Sequence, residues 1–180
     1  MRNNKYDEAY LRSHDIDWFC IIGETCCHIA SAGGLIPDAI NDREKLRNMQ
    51  KRVFDSDYIL EKDEIGINEE FLIERFGDDR GRAVDDYLET FIDMARKGFV
   101  SLDRTNFAIP ESLDETSSSG PTGWEYHIVC YPKGTKKDVG LPKIQDLKSR
   151  FPNLHRVGGS IKEKVRKNEL TNIRLLDYFK

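Results

Sequence analysis

Residues 17–31 read Asp17-Trp18-Phe19-Cys20-Ile21-Ile22-Gly23-Glu24-Thr25-Cys26-Cys27-His28-Ile29-Ala30-Ser31, and they contain the clearest local signal in the chain. Two runs rich in aromatic and β-branched residues flank the dipeptide Gly23-Glu24. A two-residue connection that begins with glycine is typical of a β-hairpin with a type II′ turn. The sequence therefore predicts an N-terminal hairpin over 17–31.

The two-residue connection also determines which residues of the hairpin lie opposite each other. The predicted pairs are Ile22–Thr25, Ile21–Cys26, Cys20–Cys27, Phe19–His28 and Trp18–Ile29. Because opposed residues share a face of the ribbon, both of its faces are largely apolar. We expect a central or doubly covered ribbon or, if one face stays uncovered, an apolar surface for contact with a partner.

Downstream of the hairpin, apolar residues recur at helical spacing in several segments. Polar residues at capping-box spacing precede two of them, since Asn41 lies three residues before Glu44 and Ser160 three before Glu163. The predicted helices cover residues 42–54, 68–76, 78 or 79 to 97, and 141–150. A last helix is predicted to begin at Ser160 with Ile161 and Val165 on its apolar side, and either to run on or to restart at Asn172. A strand is predicted over 124–131, in which Ile128 and Cys130 share one face.

These patterns predict one α+β domain spanning residues 1–180, with a small, mostly antiparallel sheet of four or five strands packed against three to five helices. Residues 1–13 are predicted to form a flexible arm or a short helix. Residues 111–123 include a Ser-Ser-Ser-Gly-Pro run without periodicity, which is typical of a flexible loop. Residues 133–180 are predicted to form a basic, helical C-terminal part docked on an acidic body.

The composition limits the classes to which the protein can belong. Its 180 residues, 38% of them hydrophobic, suffice for one core. Its apolar runs are far shorter than the ~20 residues of a membrane-spanning helix, so no membrane association is expected. The N-terminus has no apolar export segment, and the four cysteines form no Cys-x-x-Cys pair. Together these features predict a soluble cytoplasmic protein with reduced thiols.

Charge is unevenly distributed along the sequence. The chain has a net charge of −4, yet residues 133–180 hold thirteen Lys and Arg against five Asp and Glu. A basic segment can bind nucleic acid, with Lys136, Lys137, Lys162 and Arg166 as candidate contacts, or it can pair with the acidic remainder of the chain. Because that acidic remainder repels phosphates, nucleic-acid binding is the weaker hypothesis.

Four residues in and before the hairpin carry the most reactive side chains: His14, Asp15, Asp17 and His28. An imidazole and a carboxylate that converge can perform acid–base catalysis, which makes these the candidate catalytic residues of a hydrolase-type enzyme. The alternative is structural, with the first two residues in a turn and His28 packed in a strand beside Phe19. They lack the defined ligand spacing of a metal site, so no metal is predicted.

The remaining motifs carry weaker signals. The Cys20–Cys27 pair is expected to pack as two small apolar side chains rather than to act as a redox pair. Gly33-Gly34 lacks the spacing and the lysine of a phosphate-binding loop, so no cofactor is predicted. The sequence therefore favours a non-enzymatic protein-binding or regulatory module, acting on a protein partner or as a homo-oligomer, over an enzyme or a nucleic-acid binder.

Overall fold

The computed structural model describes residues 4–78, 81–104, 125–135 and 147–179. The predicted loop over 111–123 lies outside these ranges, as do Lys136 and Lys137. The α-helices within them are α1 (Glu8–Ser13), α2 (Arg43–Phe54), α3 (Glu69–Phe76), α4 (Arg82–Arg96), α5 (Leu147–Arg150) and α6 (Ile161–Lys167). The strands are β1 (Asp17–Ile22), β2 (Thr25–Ala30), β3 (Ile65–Ile67), β4 (Val100–Arg104), β5 (Glu125–Pro132), β6 (His155–Val157) and β7 (Ile173–Arg174). None of these helices is long and apolar enough to cross a membrane.

The protein is an α+β protein, as predicted, and the seven strands of the described residues belong to one mixed sheet. The strand order is β3-β5-β4-β2-β1-β6, and β7 pairs with the start of β5. Four neighbouring pairs are antiparallel, whereas β1 with β6 and β2 with β4 are parallel. The sheet is therefore mixed and larger than the four or five strands predicted.

The strands beyond the predicted number are very short. β3 and β6 span three residues each and β7 spans two. So short a strand cannot display an alternation of period two, and its pairing depends on residues distant in the chain. β6 and β7 lie in the C-terminal part of the chain, which therefore contributes strands as well as helices. The last predicted helix ends at Lys167, where Asn168 adopts a left-handed conformation, and β7 lies where that helix was expected to continue or restart.

The N-terminal hairpin forms in the predicted register. β1 and β2 pair antiparallel, and all five predicted pairs, from Ile22–Thr25 to Trp18–Ile29, are confirmed. Gly23 has a φ of +60° while Glu24 has no positive φ, which is the combination that a type II′ turn requires.

Both faces of the hairpin are buried beneath other elements. Trp18 and Ile22 belong to a core that also includes residues of α1, α6 and the segment 35–40. Phe19 and Ile21 pack on the opposite face of the sheet, against residues of α2, α4 and α5. The hairpin is thus the doubly covered ribbon of the two alternatives, and it exposes no apolar face to a partner.

A β-bulge changes the orientation of residues at the end of β5. Ser101 pairs with Cys130, whereas the next residue of β4, Leu102, pairs with Ile128. Because Val129 is the extra residue, Cys130 joins the core that contains Val129 rather than the core that contains Ile128. The prediction that Ile128 and Cys130 share a face is therefore wrong.

Hydrogen bonds at the helix N-termini confirm one of the two predicted caps, at Ser160, and displace the other by one residue. The side chains of Asn68 and Ser160 accept backbone hydrogen bonds at the starts of α3 and α6. At α2 the capping residue is Asp42, one position later than predicted. Asn41 instead exchanges two hydrogen bonds of 2.9 Å with the backbone of Tyr6, and this attaches the segment before α1 to the body.

Candidate functional site

His28 lies at the centre of a hydrogen-bonded chain that joins three strands. Its Nε2 lies 2.8 Å from Asp17 Oδ1 in β1, and its Nδ1 lies 2.5 Å from Ser101 Oγ in β4. The sheet produces this arrangement because β2 pairs with β1 on one side and, in parallel, with β4 on the other, where His28 is opposite Ser101. Of the four predicted catalytic residues, the structure brings Asp17 and His28 together.

The partners of His28 determine which ring nitrogen carries the proton. An ionised carboxylate only accepts, so Nε2 donates to Asp17, and in the neutral ring the Ser101 hydroxyl donates to Nδ1. Serine, histidine and aspartate are also the residue types of a hydrolase triad. The sequence did not indicate Ser101, because its contact with His28 arises from strands that are distant in the chain.

The chain of Asp17, His28 and Ser101 is closed to solvent at its serine end. His28 and Ser101 are both 0% exposed. The rings of Phe19 and Phe91 lie against His28, with centroids 5.4 and 5.9 Å from its own. Asp17 alone reaches the surface, with 29% of its side chain exposed. A serine without access to substrate cannot act as a nucleophile. In this conformation the hydrogen bonds among Asp17, His28 and Ser101 therefore serve to join β1, β2 and β4.

The other two predicted catalytic residues, His14 and Asp15, make separate contacts. His14 Nδ1 lies 2.9 Å from Tyr10 O, and its ring stacks on the Tyr10 ring with centroids 3.9 Å apart. Asp15 Oδ1 accepts a 2.6 Å hydrogen bond from the backbone N–H of Ala32, just beyond β2. His14 therefore packs on α1 and Asp15 supports the loop after β2.

A second group of titratable side chains, which the sequence did not indicate, lies where β4 and β5 pair. Asp103 is opposite His127, and Tyr87 Oη donates a 2.6 Å hydrogen bond to Asp103 Oδ2. Arg75 Nη1 lies 3.8 Å from the same oxygen. A cavity of about 280 Å³ opens beside His127 and Arg75. This volume is at the lower end of the range for small-molecule sites.

Burial shifts the pKa values of this group in the direction that disfavours charge. Desolvation, assisted by the Arg75 cation, lowers the pKa of His127 to about 3. Burial raises the pKa of Asp103 in spite of the Tyr87 hydrogen bond and the Arg75 charge. Burial and the neighbouring carboxylate also raise the pKa of Tyr87. His127 is therefore a neutral imidazole at physiological pH, held in a mostly buried polar cluster.

A larger cavity, of about 590 Å³, lies between α2 and the segment 153–155 that leads into β6. We refer to it as the α2 cleft. Its floor consists of buried or half-buried apolar residues, namely Phe19, Ile40, Leu46, Met49 and Leu154. Its rim consists of exposed polar residues, among them Lys45, Asn48, Arg52, Asn153 and His155. Its volume lies within the roughly 300–1,000 Å³ that is usual for ligand sites.

Exposed aromatic side chains lie at the C-terminal end of α2. Phe54 is 42% exposed, and its ring centroid lies 6.3 Å from that of Phe19 in the cleft floor. Tyr58 is 46% exposed, with the guanidinium of Arg96 3.8 Å from its ring centroid. Large apolar side chains that remain exposed beside a cleft are typical of a contact surface.

The C-terminal residues proposed for nucleic-acid binding are partly engaged within the protein. Arg166 forms a two-point ion pair with Glu163 on α6, with distances of 2.5 and 2.8 Å. Lys162 is half-buried on the same helix. A phosphate that binds Arg166 must therefore compete with a carboxylate already in contact.

Metal-binding and thiol chemistry find no support in the described ranges. No group of three or more His, Cys, Asp or Glu side chains there is arranged to hold a metal ion. Cys20 and Cys27 are opposite each other, and all four cysteines are free and buried. Burial raises the pKa of Cys26 to about 12 and also raises the pKa values of Cys27 and Cys130. These three thiols stay protonated at neutral pH.

Comparisons with protein-family models, with curated proteins and with solved structures find no match to this chain. Its function is therefore inferred from its own side chains. Three sites have been described: the hydrogen-bonded Asp17, His28 and Ser101, the cluster around His127, and the α2 cleft. Of these, the α2 cleft alone combines access to solvent with the volume of a ligand site.

Proposed function

We propose that the chain is a non-enzymatic binding domain and that it recognises a protein partner through the α2 cleft. The observation that carries this proposal is an open cavity of about 590 Å³ with an apolar floor and a polar rim. Protein interfaces have the same anatomy, with apolar side chains at the centre and polar groups around them. A partner would insert an apolar side chain between α2 and the segment 153–155.

Three of the polar side chains that line the cleft, Asp42, Lys45 and His155, have contacts of their own within the protein. Asp42 caps α2 and lies 3.1 Å from the ammonium of Lys45. The ring of His155 stacks on Phe179, with the two planes 8° apart. The described lining includes no serine, threonine or cysteine that a base would activate. A cleft without an activated nucleophile supports binding rather than covalent catalysis.

The same proposal places the protein in the cytoplasm, where thiols remain reduced. Its four cysteines are free and buried, so the fold needs no oxidising compartment. Cell fractionation followed by blotting tests this location, and detection of the protein in the cell-surface fraction would contradict it.

A peptide selection tests the role of the cleft. A phage-displayed library of short random peptides is selected on the full chain, and the enriched peptides are synthesised and measured by fluorescence anisotropy. Ala39→Trp places an indole at an exposed position in the lining without changing charge, and Ala83→Trp makes the same change at an exposed position of α4. We expect Ala39→Trp to bind about tenfold more weakly than either the wild type or Ala83→Trp.

A second variant that obstructs the cleft controls for loss of binding caused by misfolding of the first. Asn153→Trp obstructs the cleft from the opposite rim, and circular dichroism with urea unfolding verifies that each variant is folded. A library that yields no enriched peptide, or peptides that bind both blocked variants as tightly as the wild type, would overturn the proposal. Analytical ultracentrifugation adds a second readout. If the wild type is a dimer and both blocked variants are monomers, the proposal is supported and the partner is a second copy of the chain.

A hydrolase is the second candidate function, and the hydrogen-bonded chain of Asp17, His28 and Ser101 is the observation that favours it. This function requires a movement of the protein that exposes the serine, because Ser101 is 0% exposed. His14 and Asp15 would have no part in that reaction, since they contact other groups. Covalent labelling of Ser101 in the native protein would support this candidate over the binding domain.

A further inference from the structure

The helix α2 is basic, in contrast to the chain as a whole. The helix carries five basic residues and one acidic residue, whereas the whole chain has a net charge of −4. Two of the five, Lys45 and Arg52, line the α2 cleft, and both side chains are exposed. Asp42 also lines the cleft and lies 3.1 Å from Lys45 Nζ, so a ligand carboxylate at Lys45 shares the ammonium with Asp42, and the lining keeps a net positive charge through Arg52. A ligand in the cleft therefore meets a local positive charge on a protein whose overall charge is negative.

The positions of these cations along α2 define the spacing that a ligand must match. Lys45, Asn48, Met49 and Arg52 recur at helical spacing and so lie on one side of the helix. Seven residues of α-helix rise about 10 Å, which is the axial separation between Lys45 and Arg52. The half-buried side chain of Met49 lies between them, so an apolar spot is flanked by two positive charges.

We infer that the partner contributes an extended acidic segment in which two carboxylate side chains flank an apolar one. Residues i, i+2 and i+4 of an extended chain share a face and span about 13 Å, within reach of the long side chains of Lys45 and Arg52. The central apolar side chain then contacts Met49 and Leu154. This inference rests on the proposed function, because it names the class of ligand that the same cleft binds.

A nucleic acid fits the cleft less well than such a peptide. Single-stranded nucleic acids bind through bases stacked on exposed aromatic rings. Within the cleft, the ring of Phe19 is 3% exposed and the rest of the floor is aliphatic. The exposed rings of Phe54 and Tyr58 lie outside the lining, and the ring of His155 in the rim stacks on Phe179. The aliphatic side chains of the floor accommodate Leu, Ile, Met or Phe from a peptide.

The composition of the selected peptides and one matched pair of variants test the inference. Arg52→Glu reverses a charge in the lining, and Lys51→Glu makes the same reversal at the preceding exposed position, outside the lining. We expect the cleft-dependent peptides to be enriched in the pattern acidic–x–apolar–x–acidic. We expect Arg52→Glu to weaken their binding about tenfold and Lys51→Glu to weaken it less than about threefold.

Three further measurements use the same protein. The affinity of the acidic peptides should fall as salt rises, because exposed charges are screened. A synthetic peptide with its acidic residues replaced by Lys should not bind, and a single-stranded oligonucleotide should not displace the acidic peptide.

The failure of this inference is distinguishable from the failure of the proposed function. Neutral or basic peptides that Ala39→Trp excludes would overturn the acidic ligand and leave the binding cleft intact. An oligonucleotide that competes for the cleft, with its affinity reduced by Arg52→Glu, would overturn the peptide ligand in favour of nucleic acid. Equal effects of Arg52→Glu and Lys51→Glu would mean that Arg52 acts only through the overall positive charge of α2, and this would contradict the proposed contact.

Discussion

His28 Nε2 lies 2.8 Å from Asp17 Oδ1, so a fully buried imidazole is joined directly to a carboxylate at the protein surface. The backbone of Asp17 takes part in a second contact, because its carbonyl oxygen accepts a 2.7 Å hydrogen bond from Gln50 Nε2 of α2. Asp17 therefore connects the buried side chains of His28 and Ser101 to α2, the helix that forms one wall of the α2 cleft.

Asp17→Ala is expected to lower the free energy of unfolding by about 1–3 kcal/mol, because His28 Nε2 would be left buried without an acceptor. Asp17→Asn retains an oxygen that can accept the same hydrogen bond, so it should cost less. Urea unfolding of the two variants measures the difference. Equal losses in the two variants would show that the contact between His28 and Asp17 contributes little to stability.

Ser101 is expected not to react with a fluorophosphonate probe in the native protein. The hydroxyl is 0% exposed, and the ring of Phe91 lies against its histidine partner. Mass spectrometry of the treated protein detects the adduct, with Ser101→Ala as the blank and an active serine hydrolase as the positive control. A stoichiometric adduct on Ser101 would contradict a purely structural role and favour the hydrolase.

The hairpin could be predicted in detail because all of its information is local. Two residues between two apolar runs determine the register, and the positive φ of Gly23 determines the turn. The contact between His28 and Ser101 could not be predicted, because it depends on the parallel pairing of β2 with β4, which are 73 residues apart at this point.

The α2 cleft illustrates the same limit. The helix and its apolar positions could be predicted from their spacing, but the opposite wall comes from Asn153, Leu154 and His155, just before and within a three-residue strand. Nothing in that segment indicates that it pairs with β1. A cleft between two distant segments therefore appears only once the chain has folded.

Stability is expected to fall with acid partly because of His127. Its pKa is about 3 in the folded protein and near 6.5 when the chain is unfolded, so below pH 6.5 the unfolded state binds a proton that the folded state does not. This contribution is fully present above pH 6.5 and is lost as the pH falls from there toward 3. The loss amounts to about 1 kcal/mol per pH unit.

His127→Gln should remove this part of the pH dependence, as measured by urea unfolding at a series of pH values between neutrality and mild acid. Phe151→Leu is the control, because it truncates a buried ring in a different core cluster from Phe71, the ring that packs against His127, and leaves the titrating group and its burial in place. The control should lower stability at every pH without changing the slope. A slope unchanged by His127→Gln would show that the imidazole of the folded protein takes up its proton as readily as that of the unfolded chain.

Gly23→Ala should destabilise the protein more than Gly77→Ala, although both glycines have a positive φ, +60° and +74°. The positive φ alone costs an alanine about 1–2 kcal/mol. A Cβ at Gly23 would also overlap the carbonyl oxygen of Gly159, whereas a Cβ at Gly77 would meet open space. The backbone N–H of Gly23 donates to Val157 O at 2.9 Å, so the overlap cannot be relieved without moving the turn away from β6.

We therefore expect Gly23→Ala to cost about 1–3 kcal/mol more than Gly77→Ala in urea unfolding. Equal costs would mean that the hairpin turn and the segment after β6 move apart freely, and that β6 is not held at the edge of the sheet by this contact.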